Sequence, residues 1–178
     1  FERLATLPGV ESMSYGLVMP FSGSKFMNSI FVEGRPPLSG EQSAFDASVV
    51  GPRYHETMGI QLVAGRGFRE SDTKGAPSVI VINEALARHL FPNENALGKK
   101  LSLKTGSPGL EVIGITQDLK YHDLTEAPLP HFDLPALQRG YDSYTNIVLR
   151  TRNDPADLIG SVRAELLSMD PALPVSGI

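Results

Sequence analysis

The 178-residue chain contains no cysteine, which excludes thiolate metal sites, cysteine nucleophiles and disulfide bridges. It also lacks a basic surplus, because 16 Lys and Arg stand against 20 Asp and Glu for a net charge of −4. This balance argues against a protein that binds the phosphate backbone of nucleic acid. No apolar run approaches the roughly 18 residues of a membrane-spanning helix.

The overall composition is that of a folded domain. Apolar residues make up 41% of the chain and charged residues 20%, which is the range of soluble domains and not of disordered chains. The 14 prolines and 17 glycines indicate many turns and short elements. Because the chain begins at Phe1, without a methionine or a signal-peptide pattern, we expect it to be a segment of a longer protein.

Short runs of β-forming residues predict most of the secondary structure. Residues 117–139 contain three prolines and little periodicity, so we expect a long irregular connection there. The predicted strands cover residues 10–18, 28–33, 45–50, 60–63, 78–82, 99–104, 111–116 and 146–151, and a further one begins at residue 174.

A short helix is predicted over residues 53–58 from the residues that flank it. Gly51 suits the N-cap, Pro52 suits the first helical position, and Gly59 suits the left-handed position after the last turn. The opening residues before Pro8 are predicted to be the end of another helix.

Two further helices complete the prediction. Asn83 is a candidate cap for a helix over residues 84–91, which Pro92 ends. Asp154 caps the last helix, which ends before Pro171. Scattered strands and short helices in mixed order predict an α+β fold rather than a βαβ series.

Few side chains form a pattern that indicates chemistry. The sequence places no two histidines at a spacing that would put both on one helical face as metal ligands. His122, Asp123 and Glu126 could build a surface metal site for a small metal-assisted hydrolase, although solvated loop residues are the simpler interpretation. The four histidines are His55, His89, His122 and His131.

No other constellation predicts catalysis. Gly65-Arg66-Gly67 resembles part of a phosphate-binding loop but lacks the strand-to-helix context and the Lys-Ser/Thr ending. No acid–base pair stands out, and no residue set indicates a cofactor. The residues therefore indicate a binding or force-transmitting module and not an enzyme.

Six segments in order resemble one family. The matching segments are residues 51–62, 64–68, 79–87, 90–92, 96–99 and 111–115. This series resembles the MacB-like periplasmic core domain of FtsX-like ABC transporter permeases, including the duplicated permeases abundant in acidobacteria. Asp133 departs from the pattern, because the resemblance places an aromatic residue at that position.

The resemblance implies an architecture and a set of structural residues. One periplasmic core domain over residues 1–178 would have a porter-like α/β lobe, made from residues 1–35 and 120–178, and an inserted small mixed β/α lobe at 36–119. No catalytic, cofactor-binding or metal-binding residue is carried over. The residues with architectural roles are Pro52, Gly59, Gly65, Gly67, Asn83, Pro92, Gly98 and Gly114.

The resemblance also implies a function. The domain would lie between the first two transmembrane helices of a permease, on the periplasmic face of the bacterial inner membrane. A cytoplasmic ATPase subunit or domain would move it through the membrane helices, and a periplasmic adaptor or a second permease copy would be its further partner. A stand-alone periplasmic binding protein is the alternative, with the metal-assisted hydrolase behind it.

Overall fold

A computed structural model describes residues 2–36, 44–139 and 145–176 of the chain. Residue 1 and residues 37–43, 140–144 and 177–178 lie outside the described residues. The helices are Glu2–Ala5 (α1), Tyr54–Met58 (α2), Glu84–Leu90 (α3), Ala136–Arg139 (α4) and Ile159–Met169 (α5). The strands are Val10–Gly16 (β1), Met27–Ser29 (β2), Phe31–Val32 (β3), Ala44–Val50 (β4), Leu62–Gly65 (β5), Val79–Asn83 (β6), Lys100–Ser102 (β7), Leu110–Thr116 (β8), His131–Pro135 (β9) and Asn146–Thr151 (β10).

Within the described residues, all ten strands belong to one sheet. Its main path runs β10-β1-β4-β9-β6-β8-β7-β3, with β2 paired to β4 and β5 paired to β8. The pairs β4–β9 and β6–β8 are parallel, whereas the other pairs are antiparallel. A mixed sheet with short helices confirms the predicted α+β class.

The centre of this sheet is where the sequence-based prediction is wrong. The expected irregular connection over residues 117–139 ends in β9 and α4, and all five residues of β9 are buried. β9 lies between β4 and β6. Its proline and its polar residues keep a local pattern from predicting it, because a strand paired on both sides needs partners from distant parts of the chain.

The start of α2 also differs from the prediction. Gly51 is not the N-cap and Pro52 is not in the first turn, because the helix begins at Tyr54. Arg53 flanks it in the left-handed region with φ 59°. Gly51 instead donates its amide to the Tyr15 carbonyl, and a Cβ there would lie 2.6 Å from the Tyr15 ring. Close packing against this ring, and not helix capping, requires the glycine.

Smaller differences affect three predicted strands. The strand at residues 28–33 is split at the buried Ile30, because β2 pairs with β4 while β3 pairs with β7. The strand predicted at 60–63 is shifted to Leu62–Gly65. Residues 174–176 form no strand in the described part of the chain.

The apolar residues form three clusters. The largest packs α3 against the β6, β8 and β9 region and includes Ile80, Leu86 and Phe132. A second surrounds α2 and includes Tyr54 and Val81. In the third, α1 and α5 pack through the buried residues Leu4, Val162 and Leu166. No helix in the described residues combines the length and apolarity needed to cross a membrane.

The two lobes implied by the resemblance stay a prediction. In the described residues, β9 pairs with β4 and β6, so a boundary at residues 119/120 would run through hydrogen-bonded strands of one sheet.

Candidate functional site

The central polar feature of the fold is a buried cluster of His55, His131 and Asp133. His131 and Asp133 are two residues apart on β9 and therefore project to the same face of the sheet. α2 brings His55 to that face, where its Nε2 lies 3.0 Å from Asp133 Oδ2. His131 Nε2 lies 3.1 Å from Asp133 Oδ1. The side chains of His55, Asp133 and His131 are 2%, 5% and 5% exposed, so the cluster is enclosed.

The carboxylate at the centre of this cluster is held in its ionised form. Burial raises the pKa of Asp133, but the positive charge of His131 when that imidazole is protonated, together with the hydrogen bonds from His131 and His55, outweighs burial and brings the pKa well below its usual range. Both imidazoles donate Nε2–H to Asp133, which leaves their Nδ1 atoms facing away. Neither Nδ1 has a hydrogen-bond partner among the described residues.

Aromatic rings and backbone pack around the cluster. The Tyr121 ring stacks on the His131 imidazole with 4.1 Å between ring centroids, while Tyr54 and Phe68 contact His55. Burial raises the pKa of Tyr121 well above its ordinary value, and the nearby Asp133 charge adds to this. Gly67 lies against His55, since a Cβ there would be 3.2 Å from His55 Nδ1.

Asn83 links this cluster to the neighbouring elements. Its Oδ1 accepts the Leu86 amide at the start of α3 and the His131 amide of β9, both at 2.9 Å. Its Nδ2 donates to the Leu129 carbonyl in residues 117–130, the β8–β9 connection. The helix cap predicted at Asn83 is therefore present, and it also fixes β9 and the connection.

The structure places the other predicted architectural residues at turns and close contacts. Gly59 follows α2 with φ 73°, as predicted. Gly65 and Gly114 lie opposite each other in the β5–β8 pair, and a Cβ on either would lie 2.2 Å from a carbonyl oxygen of the partner segment. Gly67 packs on His55, Pro92 follows the end of α3, and Gly98 occupies a left-handed turn before β7.

The hypothetical metal site at His122, Asp123 and Glu126 is not assembled. His122 Nε2 lies 2.7 Å from Asp46 Oδ2. Asp123 accepts the amide and hydroxyl of Thr125, and Glu126 accepts backbone amides within its own turn. The described residues contain no group of three or more His, Asp or Glu side chains arranged to hold a metal ion.

Sequence reasoning missed the His55–Asp133–His131 cluster. Its members lie on separate elements, and only the pairing of β9 with β4 and β6 makes β9 central. One signal was available: His131 and Asp133 alternate with Phe132 and Leu134, which is the period of a strand with one polar face.

A second concave region is an open groove of about 440 Å³ beside β7 and α4. Lys104 and Arg139 are its charged lining residues within the described part of the chain. Burial lowers the pKa of Arg139. Other lining residues are Asn28, Ser78, Leu103, Ser107, Pro108, Leu110 and Gln138.

Comparison with known proteins assigns the family. The family model described as the MacB-like periplasmic core domain matches residues 4–166. This chain belongs to the MacB-like periplasmic core domain family. The match runs from α1 through most of α5 and therefore includes both β9 and the buried cluster.

Two curated relatives of this MacB-like domain are macrolide export ATP-binding/permease proteins. MacB of Aggregatibacter actinomycetemcomitans is 32% identical over 69 residues, which is 39% of this chain and 10% of the relative. MacB 1/2 of Paracoccus denitrificans is 28% identical over 117 residues, which is 64% of this chain and 17% of the relative. The MacB-like domain thus matches only a small part of each relative.

Solved structures agree on the fold of the MacB-like domain. The periplasmic region of MacB from Actinobacillus actinomycetemcomitans superposes with a TM-score of 0.65 at 18% identity, covering 94% of this chain and 71% of that one. The extracellular domain of the transporter YknZ from Gram-positive bacteria gives a TM-score of 0.61 at 20% identity, covering 96% and 81%. At these identities the likeness establishes the fold alone.

Proposed function

We propose that this chain is the extracytoplasmic domain of a MacB-like ABC transporter permease. The observation that carries the proposal is the family match over residues 4–166. The names of the curated relatives, which combine ATP binding with a permease, support a cytoplasmic ATPase domain or subunit as the motor. The membrane helices would pass its motion to this domain at the periplasmic face of the inner membrane.

In this proposal the domain transmits conformational change and is not catalytic. A non-catalytic role is supported by the enclosure of His55 and His131 with Asp133 inside the fold and by the pairing of His122 with Asp46. Force transmission is supported by the sheet, since hydrogen bonds connect the strands from β10 to β3. The receiving partner is a periplasmic adaptor or a second copy of the permease.

Location can be tested with single cysteines in the full-length protein, because this chain has none of its own. Thr105→Cys lies in an exposed turn, whereas Ser48→Cys is buried in β4 and serves as the matched control. We expect a maleimide that cannot cross the inner membrane to label Thr105→Cys in intact spheroplasts and Ser48→Cys only after denaturation. Labelling of Thr105→Cys only after lysis would contradict a periplasmic location, and the wild-type protein gives the background.

Attachment to a permease can be tested by membrane fractionation. We expect the product of the full gene to stay in the membrane pellet after a carbonate wash, since a permease spans the bilayer. Release into the soluble periplasmic fraction would instead favour the stand-alone binding protein. Nucleotide titration of the 178-residue chain should show no binding, because the motor is placed on the other side of the membrane; micromolar affinity for ATP would refute that division.

A further inference from the structure

The cluster of His55, Asp133 and His131 combines two imidazoles with one carboxylate in an enclosed space. We propose that this cluster is a buried proton-binding site with a capacity of one proton, and that acidification beyond this proton releases the β8–β9 connection. The geometry carries this proposal: both Nε2–H groups are already used by Asp133, so any added proton must go to an Nδ1 that has no partner among the described residues.

The charge balance sets the capacity of the closed site. With both imidazoles neutral, the cluster carries the single negative charge of Asp133. One proton on either Nδ1 removes this net buried charge, which favours uptake despite the N–H group left without an acceptor. A second proton would create a net positive charge and a second unpaired N–H group. The closed structure therefore binds the first proton and resists the second.

Charged and titratable groups on the surrounding elements do not offer the second proton a partner. Arg53, just before α2, binds Glu56 of that helix at the surface, and in the turn after β5 Arg66 binds Asp72. The Arg150 side chain of β10 donates to the Thr57 carbonyl. On β4, Asp46 is bound to His122. Tyr54 and Tyr121 face the imidazoles with raised pKa values, caused first by burial and then by the Asp133 charge.

The β8–β9 connection is the cover that must move for His131 to meet water. Tyr121 stacks on the imidazole, its carbonyl accepts the Phe21 amide at 2.7 Å, and Leu129 is held by Asn83. His55, in contrast, is covered by Gly67 and Phe68. In the open form both imidazoles can be charged, because a solvated histidine titrates near pH ~6.5.

Proton linkage makes the inference measurable. If the open form holds one more proton than the closed form, the equilibrium constant for opening rises about tenfold for each unit by which the pH is lowered. Amide hydrogen exchange of the 178-residue chain, corrected for intrinsic rates, reports this equilibrium at Phe21 and His131, whose amides donate to Tyr121 and Asn83. We expect about a tenfold rise in opening from about pH 6 to pH 5.

Variants identify the groups that carry the proton. His131→Gln keeps an N–H donor for Asp133 but cannot titrate, and should abolish the pH slope; His55→Gln should do the same if His131→Gln fails to fold. His89→Gln removes an exposed histidine and should leave the slope unchanged. His122→Gln should also retain the slope, because protonation of His122 strengthens its pair with Asp46 and so opposes opening.

Imidazole NMR of the wild-type chain gives an independent test. In the closed form His55 and His131 should together take up about one proton equivalent, and not two, as the pH is lowered. Uptake of two protons without faster amide exchange at Phe21 would overturn the proposal. Uptake of no proton would overturn it as well. An unchanged pH slope in both His→Gln variants would overturn it as well.

Discussion

Replacing Asp133 by Asn tests whether the buried cluster is bonded as described. The variant keeps the size of the side chain but replaces one carboxylate oxygen by an NH₂ group. That group faces the Nε2–H of one imidazole, donor against donor. This repulsion between two donors is removed only if the imidazole changes tautomer, which moves its proton to an Nδ1 that lacks a partner among the described residues. One buried donor is unsatisfied in either arrangement.

The cost of Asp133→Asn follows from these contacts. An unsatisfied buried donor costs about 1–3 kcal/mol, and the surviving hydrogen bond loses about 1 kcal/mol when its acceptor is no longer charged. We therefore expect the free energy of unfolding to fall by about 3 kcal/mol. For a chain of this size that corresponds to about 6–12 °C in the melting temperature.

Urea denaturation at several pH values is the assay. Because the pKa of Asp133 is lowered in the folded state, its contribution is present above the unfolded pKa of about 3.9 and is lost as the pH falls below it. The part of the stability difference between wild type and Asp133→Asn that comes from ionisation of the carboxylate should therefore be complete at about pH 5 and should narrow below about pH 4.

Asp123→Asn is the matched control, since Asp123 is exposed and its turn with Thr125 also suits Asn. No change in stability is expected from it. A free energy of unfolding for Asp133→Asn within about 0.5 kcal/mol of the wild-type value at pH 7, which is a difference typical of surface substitutions, would contradict the described contacts.

Five further substitutions, two of them controls, test the packing, each by urea denaturation at neutral pH. Gly65→Ala should lower the free energy of unfolding by more than about 3 kcal/mol, because Gly65 has φ 74° and a Cβ there would lie 2.2 Å from a carbonyl oxygen. Gly98 is the control, since it has φ 76° but no atom within 4 Å of a Cβ, and Gly98→Ala should cost about 1–2 kcal/mol. Equal costs would contradict the close β5–β8 approach. Asn83→Ala should lower the free energy of unfolding by about 3 kcal/mol. About 1 kcal/mol of this comes from the lost helix cap, and the rest comes from two backbone groups left unpaired. A loss of only about 1 kcal/mol would mean that Asn83 acts as a helix cap and no more. Leu166→Ala should cost about 2–3 kcal/mol and Leu167→Ala less than about 1 kcal/mol, because Leu166 is 7% exposed and Leu167 38%; the reverse order would mean that α5 presents its other face.

The parts of this fold that the sequence predicts are those fixed by local chemistry. Asn83 directly precedes an apolar helical pattern, and its side chain accepts the Leu86 amide as a cap should. Gly59 follows α2 because glycine adopts the left-handed backbone conformation with the least strain. The buried strand β6 is recognisable from a continuous run of β-branched residues.

The missed parts depend on contacts between distant residues. Nothing local to Gly51 reveals that the Tyr15 ring packs against it, so the residue was assigned to a helix cap. β9 contains histidine, aspartate and proline, which count against a central strand until their partners are known. His55 is on another element altogether, and no sequence period connects it to Asp133.

Asp133 and the two buried histidines form one arrangement. An aromatic ring at position 133, which the resemblance leads us to expect, would leave the Nε2–H groups of His55 and His131 without an acceptor. The three residues therefore depend on one another, and changing one alone is costly. A buried ionic cluster is a weak source of net stability compared with apolar packing, so stability does not account for it. What it does provide is a fixed position for α2 against β9, because Asp133 of β9 binds His55 of α2.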